Sequence, residues 1–307
     1  MPSLQTILAL LHLTFKYLPL VLRTTVAHIV TRPRQFKKHL QTYTPSSTPQ
    51  DQKTVLVIGG SFTGFHLVHL LANSLPTGYR VVLIEKNSHF NYTFNFPRFS
   101  VLSTGKEGKA FIPFDGHLAS APQRIYERIV GEVKELREDE AELLSGQVIK
   151  FNYLVIATGA KQAPPAKLVS STKKEASDEL RALQNAIREA KSIALVGGGA
   201  VGVQLAGDIK TFYPQKEKVV LVHSRETLLN SFESVRLHEY VLDKLGKLGV
   251  EVVLGERPDL GERKEGQRWS GRTLKFKGGR EEEFDLVVSF CARFFDLISD
   301  IRPVRGS

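Results

Sequence analysis

Several short stretches of the chain are apolar without interruption: VLVI at 55–58, VVLI at 81–84, YLVI at 153–156, IALV at 193–196, VVLV at 219–222 and LVV at 286–288. Runs this short, bounded by charged residues or glycine, read as strands of a parallel sheet buried on both faces. Two of them pass directly through a glycine-rich turn into an amphipathic helical spacing. These are VLVIGGSFTGFHLV at 55–68 and SIALVGGGAVGVQLAGDI at 192–209. Each helix is followed by a further apolar run, RVVLIEK after the first and KVVLVHSR after the second. The repeated strand–turn–helix–strand frame predicts an α/β chain with two Rossmann-like dinucleotide-binding domains. Upstream, Leu4, Leu8, Leu11, Phe15, Leu18 and Leu22 recur at helical spacing, with Gln5, His12, Lys16 and Arg23 opposite. That pattern predicts an amphipathic helix with a narrow polar stripe.

The turns carry the candidate chemistry. In the first, Gly59, Ser61 and Gly64 occupy the three fingerprint positions, with Gly60 between. The first glycine permits the tight turn, the third lets helix and strand approach, and the helix N-terminus offers amides to a pyrophosphate. Ser61 replaces the middle glycine, so a Cβ narrows the approach there. Glu85 ends the following strand, where a carboxylate can take ribose hydroxyls. The second turn matches fully, with Gly197, Gly199 and Gly202. Its acid position holds His223 or Ser224, with Arg225 just beyond. A carboxylate there repels a ribose 2′-phosphate and an arginine pairs with it, so NADPH is expected to be tolerated.

Composition narrows the classes. The 307 residues suffice for two domains with real cores. A single cysteine, Cys291, leaves no internal disulfide, dithiol redox centre or cysteine-pair metal site. The net charge is +10, but residues 1–50 hold six basic residues and no acid. Without those six, 36 basic residues face 32 acidic ones, so much of the excess belongs to the tail. No nucleic-acid motif or aromatic-interleaved basic stripe is present. An acid-free amphipathic tail suits an interfacial anchor, a mitochondrial presequence, or a helix docked on the body; Lys16 and Pro19 argue against a simple membrane span. QTYTPSSTPQDQ at 41–52 and KQAPPAKLVSSTKKEAS at 161–177 read as linkers, and GGREEEFD at 278–285 as a solvated hairpin turn. His66, His69 and His89 form no catalytic or metal spacing.

FNYLVIATGA at 151–160 resembles the crossover of flavoproteins with two dinucleotide-binding domains. GGSFTG, FNFPRFSVL, KAFIPF, VGGGAVGVQLAGDI and VVLVHSRETLL are similar to apoptosis-inducing-factor-like oxidoreductases, particularly ferroptosis-suppressor-like and fungal members. The resemblance covers residues 53 to about 290. It implies an FAD domain with an inserted NAD(P)H domain. The expected division is residues 1–50 as tail and linker, 51–163 as the first part of the FAD domain, 164–290 as the NAD(P)H domain, and 291–307 as an atypical end. It also implies that Arg98 reaches the FAD phosphates or ribityl region, that the Val133 backbone meets the adenine, and that Thr158 and Gly159 form the turn near the flavin diphosphate. Gln204 stands where the family usually has Glu, which removes a charge near the nicotinamide.

The activity implied is NAD(P)H oxidation through FAD, with electrons passed to a quinone-like acceptor. The flavin would carry the chemistry, so no catalytic side chain is expected. The tail, residues 1–40, would bring the chain to a membrane surface, cytoplasmic or mitochondrial. The family's Gly-x-x-Pro turn and Gly-Asp segment have no counterpart after residue 290, so the end reads as truncated. Weak FAD binding would follow, with apolar surface open beneath DLVVSF and partly covered by FFDLI. A non-catalytic dinucleotide-binding protein is the second reading.

Overall fold

The protein is described by a computed structural model over residues 4–45, 48, 51–116, 118–119, 121–160, 162–232, 234–260, 271–290 and 302–303. Expectations for the atypical end, Cys291 and FFDLI included, lie outside these residues apart from the short strand Arg302–Pro303. The chain forms two compact units. One comprises Met1–Glu85, Asp115–Ala157 and Pro303–Ser307, the other Lys86–Phe114 and Thr158–Arg302.

In the first unit a four-stranded parallel sheet runs in the order Tyr126–Val130, Tyr79–Glu85, Lys53–Ile58, Tyr153–Ile156. Leu56, Val57, Val81, Val82 and Leu83 are fully buried, as an unbroken apolar run at a sheet centre requires. The helix Phe62–Ala72 crosses from the central strand to Tyr79–Glu85 and buries Gly64, Val68 and Ala72. An antiparallel meander of Val133–Leu136, Glu140–Leu143 and Val148–Lys150 leads to the last strand of the sheet.

The second unit repeats the plan. Its parallel sheet runs Glu251–Val253, Lys218–Val222, Ser192–Val196, Leu286–Ser289, with the helices Ala200–Phe212 and Val235–Lys247 as crossovers. The hairpin Arg272–Lys275 with Glu281–Phe284 turns at Gly278 and Gly279, as GGREEEFD predicts. Leu274, Phe276 and Phe284 of this hairpin pack on Val196, Val222 and Val287.

That packing overturns one expectation. Leu286, Val287, Val288 and Ser289 are all buried, so DLVVSF leaves no apolar face open. Exposed apolar surface occurs instead on the outer strand of the first sheet, where Tyr153 and Ile156 are 50% and 40% exposed.

Both expected linkers are also partly structured. Tyr43 is buried, its hydroxyl donates to the Tyr79 carbonyl at 2.9 Å, and the buried Gln52 amide donates to the same hydroxyl at 2.8 Å. His39 Nε2 lies 2.7 Å from the Leu75 carbonyl oxygen. An aromatic ring with two polar partners is worth burying even inside a Ser/Thr/Pro-rich stretch. In the second linker, Lys173–Glu189 is a helix capped by Thr172, which accepts from the Glu175 N–H at 3.3 Å while its hydroxyl donates to the Glu175 carboxylate at 2.8 Å. TKKE thus has the spacing of a capping box, with the Glu175 carboxylate on the Thr172 hydroxyl instead of on its backbone N–H.

Before Tyr43 the chain forms the helix Leu4–Val26, a π turn Ala27–Thr31 and the helix Arg32–Thr42. Leu8, Leu11, Phe15, Leu18 and Leu22 are exposed along the first helix. Among the described residues no helix is long and apolar enough to cross a membrane.

Candidate dinucleotide-binding sites

The two glycine turns are built alike. Gly59 follows the first strand with φ of +100°, and Gly197 follows its counterpart with φ of +127°, a region L side chains rarely enter. A Cβ on Gly64 would stand 1.8 Å from the Gly59 carbonyl oxygen, and one on Gly202 would stand 1.9 Å from that of Gly197. The helix therefore meets the strand end at a distance that only glycine allows. The middle position is open: a Cβ on Gly199 would meet nothing within 4 Å. That explains how Ser61 stands at the equivalent place. Both residues are helix N-caps in extended conformation without a side-chain cap bond. The turn geometry, the open middle position and the exposed first residues of each helix fit a pyrophosphate held by backbone amides.

Each turn is tied to the end of the next strand. The Gly60 N–H donates to Glu85 Oε2, and a Cβ on Gly60 would press on the Glu85 side chain at 3.1 Å. Glu85 is buried, 7% exposed, beside the turn. Its backbone carbonyl accepts from the Gly131 N–H at 3.2 Å, which brings the start of Val133–Leu136 to the end of the Glu85 strand. Val133 pairs with Leu143 at a register shift in the meander. Ala157 N–H donates to the Ile58 carbonyl at 2.8 Å, and Thr158 and Gly159 follow directly, with φ of +69° at Gly159.

In the second unit the partner of the turn is His223. The Gly198 N–H donates to His223 Nδ1 at 3.1 Å, and His223 Nε2 lies 3.3 Å from Asn230 Oδ1. Burial holds the imidazole below its ordinary value; the Asn230 bond opposes this shift and the Arg225 cation adds to it. Ser224 and Arg225 are exposed beside it. Gln204 is half-buried on the helix Ala200–Phe212.

Arg98 lies in the second unit, on the single-turn helix Phe96–Phe99. Its Nε donates to Asp208 Oδ2 at 2.8 Å, and its guanidinium lies 5.8 Å from the Phe212 ring centre. Asp208 is nearly buried, so this arginine neutralises a carboxylate of the second-turn helix. Among the described residues no group of three or more His, Cys, Asp or Glu could hold a metal ion.

The profile of the pyridine nucleotide-disulphide oxidoreductase family matches residues 53–291. The chain belongs to this family. Among similar proteins, Fe-regulated protein 8 of Mycosarcoma maydis is 36% identical over 78% of this chain and 64% of its own length. Apoptosis-inducing factor homolog B of Dictyostelium discoideum is 34% identical over 67% of the chain and 53% of its own length. Human ferroptosis suppressor protein 1 is 28% identical over 66% and 52%. The chain thus spans about half to two-thirds of the length of these relatives. The ferredoxin reductase of the CYP199A2 system from Rhodopseudomonas palustris superposes with a TM-score of 0.60 at 21% identity, over 78% of this chain and 59% of that one. The NADH-bound water-forming NADH oxidase of Lactobacillus brevis gives 0.56 at 17%, over 79% and 54%. These two likenesses establish the fold: two Rossmann-like domains of the pyridine nucleotide-disulphide oxidoreductases.

Sequence reasoning about this oxidoreductase-family chain missed three partners: Asn230, Asp208 and the Gly198 amide. Asp208 and the Gly198 amide meet side chains 110 and 25 residues away, and Asn230 meets His223 across a seven-residue loop. The one available signal was His223 at the position of Glu85.

Proposed function

We propose that the chain is the nucleotide-binding part of an FAD-dependent NAD(P)H oxidoreductase. The observation that carries this reading is the doubled turn: two strand ends with positive-φ glycine, each followed by a helix that closes onto it at Gly64 or Gly202. Gly59, Gly60, Ser61 and Gly64 would present backbone amides to the FAD pyrophosphate, and Glu85 would take the adenosine ribose. Val133, which opens the meander strand Val133–Leu136, and Thr158 and Gly159, which follow the strand Tyr153–Ile156, would complete the flavin site. Gly197, Gly199 and Gly202 would receive the pyrophosphate of NADH or NADPH, with Arg225 at the ribose end. Bound flavin supplies hydride acceptance and electron release; these residues bind and orient. The acceptor in this reading is quinone-like. Support for a membrane surface comes from the exposed apolar residues of Leu4–Val26 and from Lys16, Arg23, Arg34, Lys37 and Lys38, all of which are exposed. The setting follows as the cytoplasmic face of a membrane, or a mitochondrial one.

A second reading, nucleotide binding without turnover, draws on the exposed apolar strand Tyr153–Ile156 at the edge of the first sheet. The visible absorption spectrum of the purified chain, followed by NADH titration and a quinone-reduction assay, tests both. Stoichiometric flavin with turnover above roughly 1 per second supports the enzyme. Coenzyme binding without flavin supports the second reading. Absence of both nucleotides sinks the two together.

A further inference from the structure

The segment GKEGKAFIP, residues 105–113 of the second unit, sorts its charges by face. Its short 3₁₀ helix, Glu107–Ala110, has three residues per turn, so residues three apart in sequence stand on one side. Glu107 and Ala110 are both buried, whereas Lys109 and Lys106, the N-cap residue, are both exposed. The Lys109 N–H donates to the Lys106 carbonyl at 2.9 Å, which fixes the two lysines one turn apart. The Glu107 carboxylate faces inward: Oε1 accepts from Gln184 Nε2 at 2.9 Å, and Oε2 lies 3.6 Å from Arg181 Nε. The interior thus takes up the acid of GKEGK and leaves its two lysines together outside.

A third lysine joins them. Lys173 opens the helix Lys173–Glu189, and its side chain crosses the loop. Its Cε would lie 3.4 Å from a Cβ on Gly108, and its Nζ donates to the Phe111 carbonyl at 3.4 Å. Lys106, Lys109 and Lys173 line one cavity of about 420 Å³, whose wall also includes Phe111, Ile112 and Pro113. Among the described residues none of these three lysines pairs with a carboxylate. The acid nearest Lys173 in sequence, Glu175, is turned to the Thr172 hydroxyl at 2.8 Å.

Three like charges around one concavity repel each other, and a low-dielectric wall concentrates their field there. A bound anion relieves that repulsion. Phosphate matches the set better than a carboxylate does, because it brings up to two charges and three acceptor oxygens. An ammonium is a compact donor well suited to it. The cavity has the size of a small-molecule site, and its apolar wall offers contact to a carbon skeleton beside the phosphate. We propose that this cavity is a phosphate-binding site, sharing no residue with either glycine turn, for a ligand whose phosphate lies among Lys106, Lys109 and Lys173. A phosphorylated metabolite and a phospholipid headgroup share that chemistry.

The test is acylation of lysines with a water-soluble ester, read residue by residue in the mass spectrometer. The full chain is labelled alone, with inorganic pyrophosphate, and with vesicles of phosphatidylcholine containing phosphatidic acid. Lys106, Lys109 and Lys173 should lose reactivity together, and Lys174, exposed on the same helix, should keep it. Protection by pyrophosphate assigns a soluble phosphorylated ligand, and protection by the vesicles alone assigns a headgroup. Lys109→Ala should raise the half-protecting concentration at Lys106 and Lys173 by roughly two- to fivefold, the worth of one exposed ion pair. The double variant Lys106→Glu, Lys109→Glu should abolish protection of Lys173 at an unchanged melting temperature. Full reactivity of the three lysines with both probes, or equal protection of Lys174, overturns the site. Protection of Lys173 that survives the double variant overturns the part given to Lys106 and Lys109.

Discussion

The first and second turns share a backbone and differ in what holds them. Both have the positive-φ glycine at the strand end and the glycine whose missing Cβ admits the helix. The first is tied by a buried carboxylate, the second by a half-buried neutral imidazole backed by an amide side chain. Backbone geometry, common to both, suits any pyrophosphate. The two turns differ in the group one strand away, a carboxylate on the Gly60 amide and an imidazole on the Gly198 amide.

The comparison breaks first where the backbones meet. Gly64→Val and Gly202→Val each drive a Cβ into a backbone oxygen that cannot move aside. Each should cost about 3 kcal/mol or more in denaturant unfolding. A variant unfolding at the wild-type midpoint would show that helix and strand do not approach as described. Next come the ties. Glu85→Leu strands the Gly60 amide in a buried place and should cost about 1–3 kcal/mol by the same measurement. His223→Leu should cost less, because its site is more exposed; a larger loss would reverse the ranking of the two ties. Arg98→Ala leaves the nearly buried Asp208 carboxylate without its partner, a loss of about 1.5 kcal/mol. Flavin content unchanged in that variant would confine Arg98 to this ion pair, whereas flavin lost at full stability would give it to the cofactor.

A smaller effect separates the ties by pH. His223 titrates below its ordinary value of 6.5 in the folded chain, so the unfolded chain takes up the proton first. Stability from this residue is complete above 6.5 and is lost as the pH falls toward the folded value. His223→Gln should flatten that part of a thermal-melting profile against pH, and an unchanged slope would assign it elsewhere. The smallest effects are expected at the open middle position. Ser61→Gly and Gly199→Ser should each shift stability by less than about 0.5 kcal/mol, and a large loss at Gly199 would mean that the position is closed.

The strand frames were legible because a parallel strand buried on both faces must be apolar throughout, as IALV and VVLV are. Gly64 and Gly202 were legible for a related reason: the contact they permit lies within one strand–turn–helix unit. Arg98 was visible as a lone cation, but Asp208 is 110 residues away and nothing local pairs them. Tyr43 was read as linker because its neighbours are Ser, Thr and Pro; its burial depends on a carbonyl at Tyr79. The Thr172–Glu175 box was written in the residues, yet it lies inside a stretch whose Pro, Ser and Lys content signals a linker more strongly. DLVVSF was read as open because its continuation differs from the family's. Its cover comes from a hairpin earlier in the chain, which packs on Val287, and from the core that takes Leu286 and Val288 on the other face.

The buried Tyr43 ring has a mechanical consequence. It divides the amino-terminal segment into a clamped foot and a free arm. Leu4–Val26 is 23 residues long, about 35 Å at the rise of an α-helix. A helix of that length fixed at its base keeps its apolar side chains within a bounded distance of the first glycine turn. Limited proteolysis would trim such an arm from its tip and stall at the foot, leaving a fragment that begins near Tyr43.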